Sequence, residues 1–420
     1  MTRSTNANSV VITGLGTFNP LGTNVSDTWA AALAGRNGVR PLDFEWVAAF
    51  DLAPRFAGIA AAEPAQFLTK PELNNLDRAS QFALLAAREA FVMAGLAADS
   101  VAPERLAVVI SSALGGITTT LGAWDTMQDR GARRLLPGTI PMLMPNAAAA
   151  AVSKDLHARA GAHAPSAACA AGAEAIAVGF DLIRSGRADV VVAGGTEAPI
   201  HPLVVGAFAA ARALSVWPNA TGSRPFALGR DGFVLAEGAG VVVLESAAHA
   251  HARGGRVLAR LAGVGVTADA YHMTAPDPDG RGQIAAMRVA LEQAGAQPGD
   301  VVHVNPHATS TPVGDAVEAA SIASVLGNST CQALVSATKS LTGHLLGGAG
   351  GLEAVLTVLA VAHRTAPPTI HLTHLAEQDP DIALRIQKET PGVLPEGDIL
   401  ALTNSFGFGG HNVALAIASA

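Results

Sequence analysis

The sequence predicts an α/β fold whose two halves follow a related plan. Three observations carry this: short β-branched runs ending in glycine or serine, longer alanine-rich stretches between them, and a composition break near residue 250 after which the pattern restarts. Near-continuous apolar strands separated by helices are what a sheet covered on both faces requires.

The elements follow in order. Residues 10–16 open the chain as a strand, and 107–112 form a second after a helical stretch. A small-residue run around Cys169 leads into a helix expected to reach about Arg184, with Ile176, Phe180 and Ile183 on its apolar face; residues 190–195 then return as a strand. The alternating alanines and histidines of 248–255 end in Gly254-Gly255 and read as a helix end and a turn, which divides the chain into halves at 9–253 and 254–420. Beyond it, 256–266, 301–305 and 400–404 are strand candidates, and 217–222 and 276–282 are loops by their Asp, Asn, Pro and Gly content. No strict internal repeat is visible.

Composition narrows the function. Of 420 residues, 50 % are hydrophobic and only 15 % charged, against roughly 25 % in an average soluble chain. That shortage of charge implies much buried surface and an expected homo-oligomer. No run approaches the ~18 consecutive apolar residues of a membrane span, and the first nine residues lack a secretory signal's apolar core. Cys169 and Cys331 are too few for a disulfide framework and fit a reducing cytoplasm. A net charge of −7 gives no footing for nucleic acid.

Four segments carry chemistry. Cys169 stands in Ser166-Ala167-Ala168-Cys169-Ala170-Ala171-Gly172 at a helix start, where unpaired N–H groups favour a thiolate. His307 follows a strand in Asn305-Pro306-His307-Ala308-Thr309-Ser310-Thr311. Lys339 and His344 share Thr338-Lys339-Ser340-Leu341-Thr342-Gly343-His344, and Asn404-Ser405-Phe406-Gly407-Phe408-Gly409-Gly410 makes a glycine-rich turn near the C-terminus. Singly, each has an ordinary explanation. A cysteine among alanines is more often core, and any one of 13 histidines is more often surface or satisfied core.

In this order and spacing the four segments resemble the β-ketoacyl-acyl carrier protein synthases of the thiolase superfamily, nearest to the actinobacterial elongating type II enzymes. The resemblance runs from residue 10 to the end and takes in Arg224-Pro225-Phe226, Arg230-Asp231-Gly232-Phe233-Val234 and Asp269-Ala270-Tyr271-His272-Met273. It implies a five-layered αβαβα fold of two similar halves, usually a homodimer. It implies Cys169 as the acyl-holding nucleophile, His307 and His344 as donors to a developing enolate, and Lys339 as their electrostatic neighbour held by Glu353. The N–H groups of Cys169 and Phe408 become the oxyanion donors, Phe408 also gates the acyl pocket, and Leu114 and Phe208 wall it. Thr309 and Thr311 match residues that bind the pantetheine arm. The implied partner is acyl carrier protein, contacted by Arg133, Arg134 and Arg212, with no metal and no cofactor beyond the carrier's phosphopantetheine.

The sequence departs from the family pattern at Pro306, Ala308 and Ala171, and at Leu73-Asn74-Asn75-Leu76-Asp77, where relatives often carry a basic pair for the carrier. The alternatives are a ketosynthase of polyketide or specialised metabolism, an inhibitor-tolerant duplicate, a non-decarboxylating thiolase, a serine acyl-enzyme built on Ser336-Ala337-Thr338-Lys339, and a non-catalytic scaffold. A thiolase wants a second cysteine near the C-terminal turn, a serine acyl-enzyme wants companion motifs that are absent, and a scaffold usually loses the nucleophile.

Overall fold

Ten strands, two sets of five in one strand order, form the principal sheet of a computed structural model that describes residues 9–97, 100–330, 332–372 and 378–420. Cys331 lies outside the described residues. The first set is β1 (Val10–Phe18), β2 (Leu106–Ser111), β3 (Ala162–His163), β4 (Val190–Glu197) and β5 (Gly238–Ser246). The second is β6 (Ala259–Ala268), β7 (Val301–Asn305), β8 (Leu334–Val335), β9 (Leu400–Gly407) and β10 (His411–Ser419). Their spatial orders are β3-β2-β4-β5-β1 and β8-β7-β9-β10-β6, so the second half repeats the first. In each, the first two pairings are parallel and the next two antiparallel. The halves join where β1 pairs antiparallel with β6, Val10 opposite Leu261 and Ile12 opposite Ala259.

Helices fill the layers. They are α1 (Arg78–Met93), α2 (Ala147–Asp155), α3 (Ala171–Arg184), α4 (Pro202–Ala210), α5 (Arg281–Ala294), α6 (Pro312–Leu326) and α7 (Ala349–His363). α1 and α2 cover the outer face of the first half, and α5 and α6 that of the second. Between the halves lie α3 and α7, each packed on strands of both, which completes the α-β-α-β-α order. Every residue of α7 from Ala349 to Val361 is buried, as a helix apolar all round must be. The 18-residue stretch Leu346–His363, mean hydropathy 1.4, has the length and apolarity of a membrane span, but 89 % of it is buried inside the fold.

Strand β6 starts at Ala259 rather than at 256, because the turn runs on past Gly254 (φ 68°) until the Leu258 N–H reaches the Ile12 carbonyl at 2.9 Å. Strands β4 and β9 run further than expected, to Glu197 and Gly407, their last residues being held by neighbouring strands.

A repeat that is invisible as a strict sequence match appears in the packing. A Cβ on Gly14 or Gly16 of β1 would lie 2.1 and 1.9 Å from the carbonyl oxygens of Ala90 and Ala86 on α1. A Cβ on Gly263 or Gly265 of β6 would lie 2.2 and 2.0 Å from those of Ala290 and Ala286 on α5. Gly-x-Gly on a strand beneath Ala-x-x-x-Ala on a helix is thus used once per half for close helix–strand approach. Gly16→Val should destabilise the protein by about 3 kcal/mol or more, since backbone must move to admit the side chain. The midpoint of urea unfolding measures this.

Candidate active site

The site is assembled where segments from both halves meet. After β3 the chain makes a tight turn through Ala168–Ala170 before α3 begins, with Ala168 left-handed at φ 47°. That conformation costs a residue with a Cβ about 1–2 kcal/mol, and it aims Cys169 into a cavity. The C-terminal turn lies against this loop. A Cβ on Gly407 would sit 2.7 Å from the Ala167 carbonyl and 3.1 Å from the Cys169 nitrogen, so glycine is needed for the approach. The N–H groups of Phe408 and of Cys169 itself act on the sulfur, in the sense that stabilises negative charge there.

The second half supplies the imidazoles. His307 follows β7, and its N–H and that of Ala308 donate to the two oxygens of Glu318 on α6, at 2.7 and 2.6 Å. Glu318 also accepts from the Asn404 side chain at 3.3 Å. Lys339 is buried and forms a short ion pair with Glu353 of α7, while its Nζ stands 3.5 Å from His307 Nδ1. An ammonium can only donate, so Nδ1 is the accepting nitrogen and the ring hydrogen of His307 sits on Nε2. His344 is held through its backbone, whose N–H donates to the Val234 carbonyl at 2.8 Å. Its ring packs edge-on against Phe233 and His307, with centroids 5.2 Å from each. Neither of its buried ring nitrogens has a partner among the described residues, which leaves them for a ligand.

Burial first, and then the Lys339 cation, hold both histidines well below the usual imidazole range, so both are neutral near pH 7. Burial raises Glu353 and Glu318 to about 7, against the pull of Lys339 and of the N–H donors respectively.

One expectation is reversed. The helix start was read as favouring a thiolate at Cys169, but the protein packed around the sulfur pushes its thiol up to about 12. Lys339 and the two N–H groups pull the other way and lose, and the Glu197 carboxylate adds to the rise. Cys169 keeps part of its surface open and is at rest a thiol.

Cys169, His307, His344, Thr309, Thr311, Phe208, Arg212 and Phe408 all line one cavity of about 310 Å³. Thr311 is the N-cap of α6 yet makes no side-chain capping bond; its hydroxyl lies 3.2 Å from that of Thr309. Phe208, on α4, meets Phe233 edge-on at 5.4 Å. Lys339 and Glu353 stand behind His307 and do not line the cavity. Leu114 is outside it as well, on a turn whose N–H groups bind Glu197. Arg133 and Arg134 are exposed on a separate turn, Ala132–Arg134, away from the lining. Ser336 is fully buried with its hydroxyl donated to the Pro367 carbonyl at 2.6 Å, so no serine nucleophile faces the cavity there.

Sequence reasoning passed over Glu318 and Glu197, and gave no role to Phe233 and Phe406 within the segments it singled out. The acids carry no local motif, and both phenylalanines look like ordinary core until their rings are seen against His344 and His307. Among the described residues, no cluster of three or more His, Cys, Asp or Glu has the makings of a metal site.

Residues 7–250 match the β-ketoacyl synthase N-terminal domain, and residues 258–373 match its C-terminal domain. The chain belongs to the β-ketoacyl synthase family. Among curated members of the family, a 3-oxoacyl-[acyl-carrier-protein] synthase 2 of Staphylococcus aureus strain COL is 42 % identical over 413 residues, 97 % of both chains. A protein of the same name from Synechocystis is 41 % identical over 412 residues, again 97 % of each. A solved ketosynthase of a type II polyketide synthase, in complex with its acyl-carrier protein and bound to the hexaketide, superposes with TM-score 0.88 at 31 % identity, covering 98 % of this chain and 99 % of that one. As a β-ketoacyl synthase the chain is an enzyme, an acyltransferase of thiolase-like fold.

Proposed function

We propose that this enzyme condenses an acyl group held on Cys169 with malonyl-acyl carrier protein, releasing carbon dioxide and a β-ketoacyl thioester two carbons longer, in fatty acid elongation. The observation that carries the assignment of roles is the single cavity lined by one thiol and two neutral imidazoles.

Three steps balance. In the first, the Cys169 sulfur attacks the acyl thioester; its S–C bond forms, the carrier's S–C bond breaks, and the thiol proton leaves with the carrier sulfur. A thiol raised to about 12 is compatible with this, because the step consumes and returns one proton. The tetrahedral oxyanion sits at the Cys169 and Phe408 N–H groups, each donor being worth about 3 kcal/mol of barrier. Next, malonyl thioester loses carbon dioxide, and the electron pair of the broken bond becomes an enolate. His307 Nε2–H and the one ring N–H of neutral His344 donate to its oxygen, neutral imidazole being a donor that needs no counter-ion. Finally the enolate carbon attacks the acyl carbonyl, and Cys169 leaves as thiolate and takes a proton from solvent.

Lys339, held by Glu353, keeps the His307 hydrogen on Nε2. Thr309 and Thr311 offer hydroxyls to the amides of a pantetheine arm. Phe408, 36 % exposed in the glycine turn, gates the cavity, and Phe208 belongs to the acyl side, while Leu114 stays outside the cavity on the turn that Glu197 holds. Arg212, exposed in the cavity lining, is the candidate contact for an acidic carrier that lies at the site, and Arg133 and Arg134 are exposed on the Ala132–Arg134 turn as further candidates. A homodimer, a reducing cytoplasm in which Cys169 stays free, halves at 9–253 and 254–420, and no cofactor beyond the carrier's phosphopantetheine complete the reading. A polyketide pathway is the second reading, favoured by the structural likeness to the polyketide ketosynthase; the higher identity to synthases named for acyl-carrier substrates favours the first.

With acyl- and malonyl-carrier substrates, the purified protein should release carbon dioxide and yield the elongated product, followed by mass spectrometry. Neither carbon dioxide nor product, beside a working control synthase, would reject the assignment.

A further inference from the structure

Glu197 ends β4 and is completely buried. Its Oε1 accepts from the Ser112 hydroxyl at 2.6 Å and the Leu114 N–H at 3.2 Å. Its Oε2 accepts from the Ala113 N–H at 2.7 Å and the Gly347 N–H at 3.1 Å. Four donors fill the four lone-pair positions of a carboxylate. No Lys or Arg pairs with it among the described residues, so these donors alone offset its burial, which pushes the group up to about 7.

The donors belong to separate segments. Ser112, Ala113 and Leu114 follow β2 in the first half, and Gly347 follows His344 in the second. The nucleophile helix arrives at the same point: a Cβ on Gly172 would lie 2.7 Å from the Gly347 carbonyl oxygen, and one on Gly195 2.1 Å from it. Leu346, just before Gly347, is left-handed at φ 47°, a conformation unfavourable for a branched side chain. The Gly347 bond to Glu197 helps to hold it. The apolar cluster that includes Cys169 and Phe208 also includes Ala113, Ile117 and Leu346. The segments that Glu197 ties together therefore pack behind Cys169 and Phe208 of the cavity wall and hold the apolar side of the site in place. Thr309 and Thr311 line the cavity elsewhere and offer hydroxyls instead.

We infer that Glu197 is a positioning residue for acyl loading: by clamping the 112–114 turn to Gly347 it fixes the apolar bed beside Cys169, without acting at the histidines. This rests on the proposed condensation, and the test separates the two. In Glu197→Gln an amide NH2 must face two of the four donors. Transfer of a sixteen-carbon acyl group from its carrier to Cys169, read by mass spectrometry, should fall about 30-fold. Transfer of a two-carbon group and carbon dioxide release from malonyl-carrier should each fall less than about threefold. Ser112→Ala removes one donor and should lower long-chain transfer about threefold in the same pattern, and it decides the matter should Glu197→Gln fail to fold. Equal losses for both chain lengths, a loss of decarboxylation as large as that of transfer, or unchanged long-chain transfer overturns the clamp. A wild-type enzyme that neither loads nor decarboxylates overturns the proposed function instead.

Discussion

Cys169→Gln should abolish condensation, by at least about 10⁴-fold, while carbon dioxide continues to be released from malonyl-carrier substrate. The two halves of the site explain why the effects separate. Glutamine has no sulfur to carry an acyl group, so the enolate finds no electrophile and is protonated to acetyl thioester. Its side-chain carbonyl can take the place of a bound thioester oxygen at the Cys169 and Phe408 N–H groups, leaving the cavity as it stands after loading. His307, His344 and Lys339 come from other segments and are untouched. Loss of decarboxylation together with condensation would mean that the sulfur takes part in both, against a division of labour between the thiol and the imidazoles.

The complementary result is expected at the imidazoles. His344→Ala should lower decarboxylation by about 10²–10³-fold, the usual effect of removing one preorganised donor to a developing oxyanion, and His307→Ala should do the same. Acyl loading of Cys169 should survive in both within about tenfold. His344 is the cleaner variant, because neither ring nitrogen bonds to any described residue and its removal orphans none of them. His307→Ala also leaves the Lys339 ammonium facing a void, with Glu353 as its remaining partner. A larger loss in loading than in decarboxylation would contradict the assignment.

The strands and the ordered segments were legible because each carries a local signal: β-branched runs, a glycine turn, a histidine after a strand. Cys169, His307 and His344 could be named through the family resemblance of four ordered segments, since each alone looks ordinary, and the fold brings them to one cavity. Glu197 and Glu318 could not, because their importance lies in which backbone N–H groups surround them, and those come from segments 10 to 150 residues away. The charge state of Cys169 was misjudged for a related reason. A helix start is visible in sequence, whereas the mass of protein around the sulfur is a property of the assembled site. The internal repeat went unseen because it survives only as Gly14 and Gly16 against Ala90 and Ala86, echoed by Gly263 and Gly265 against Ala290 and Ala286. Few residues at long spacing are enough for backbone contact and too few for a visible match.

The first strand has a bearing on how the molecule is made. Among the described strands Val10–Phe18 pairs with β5 and β6 alone, so the ribosome must deliver more than two hundred further residues before Ser246 can meet Val10. At usual rates of synthesis that is roughly 10–50 s. During that interval an apolar strand with both edges open waits on the nascent chain, a natural client for a holdase.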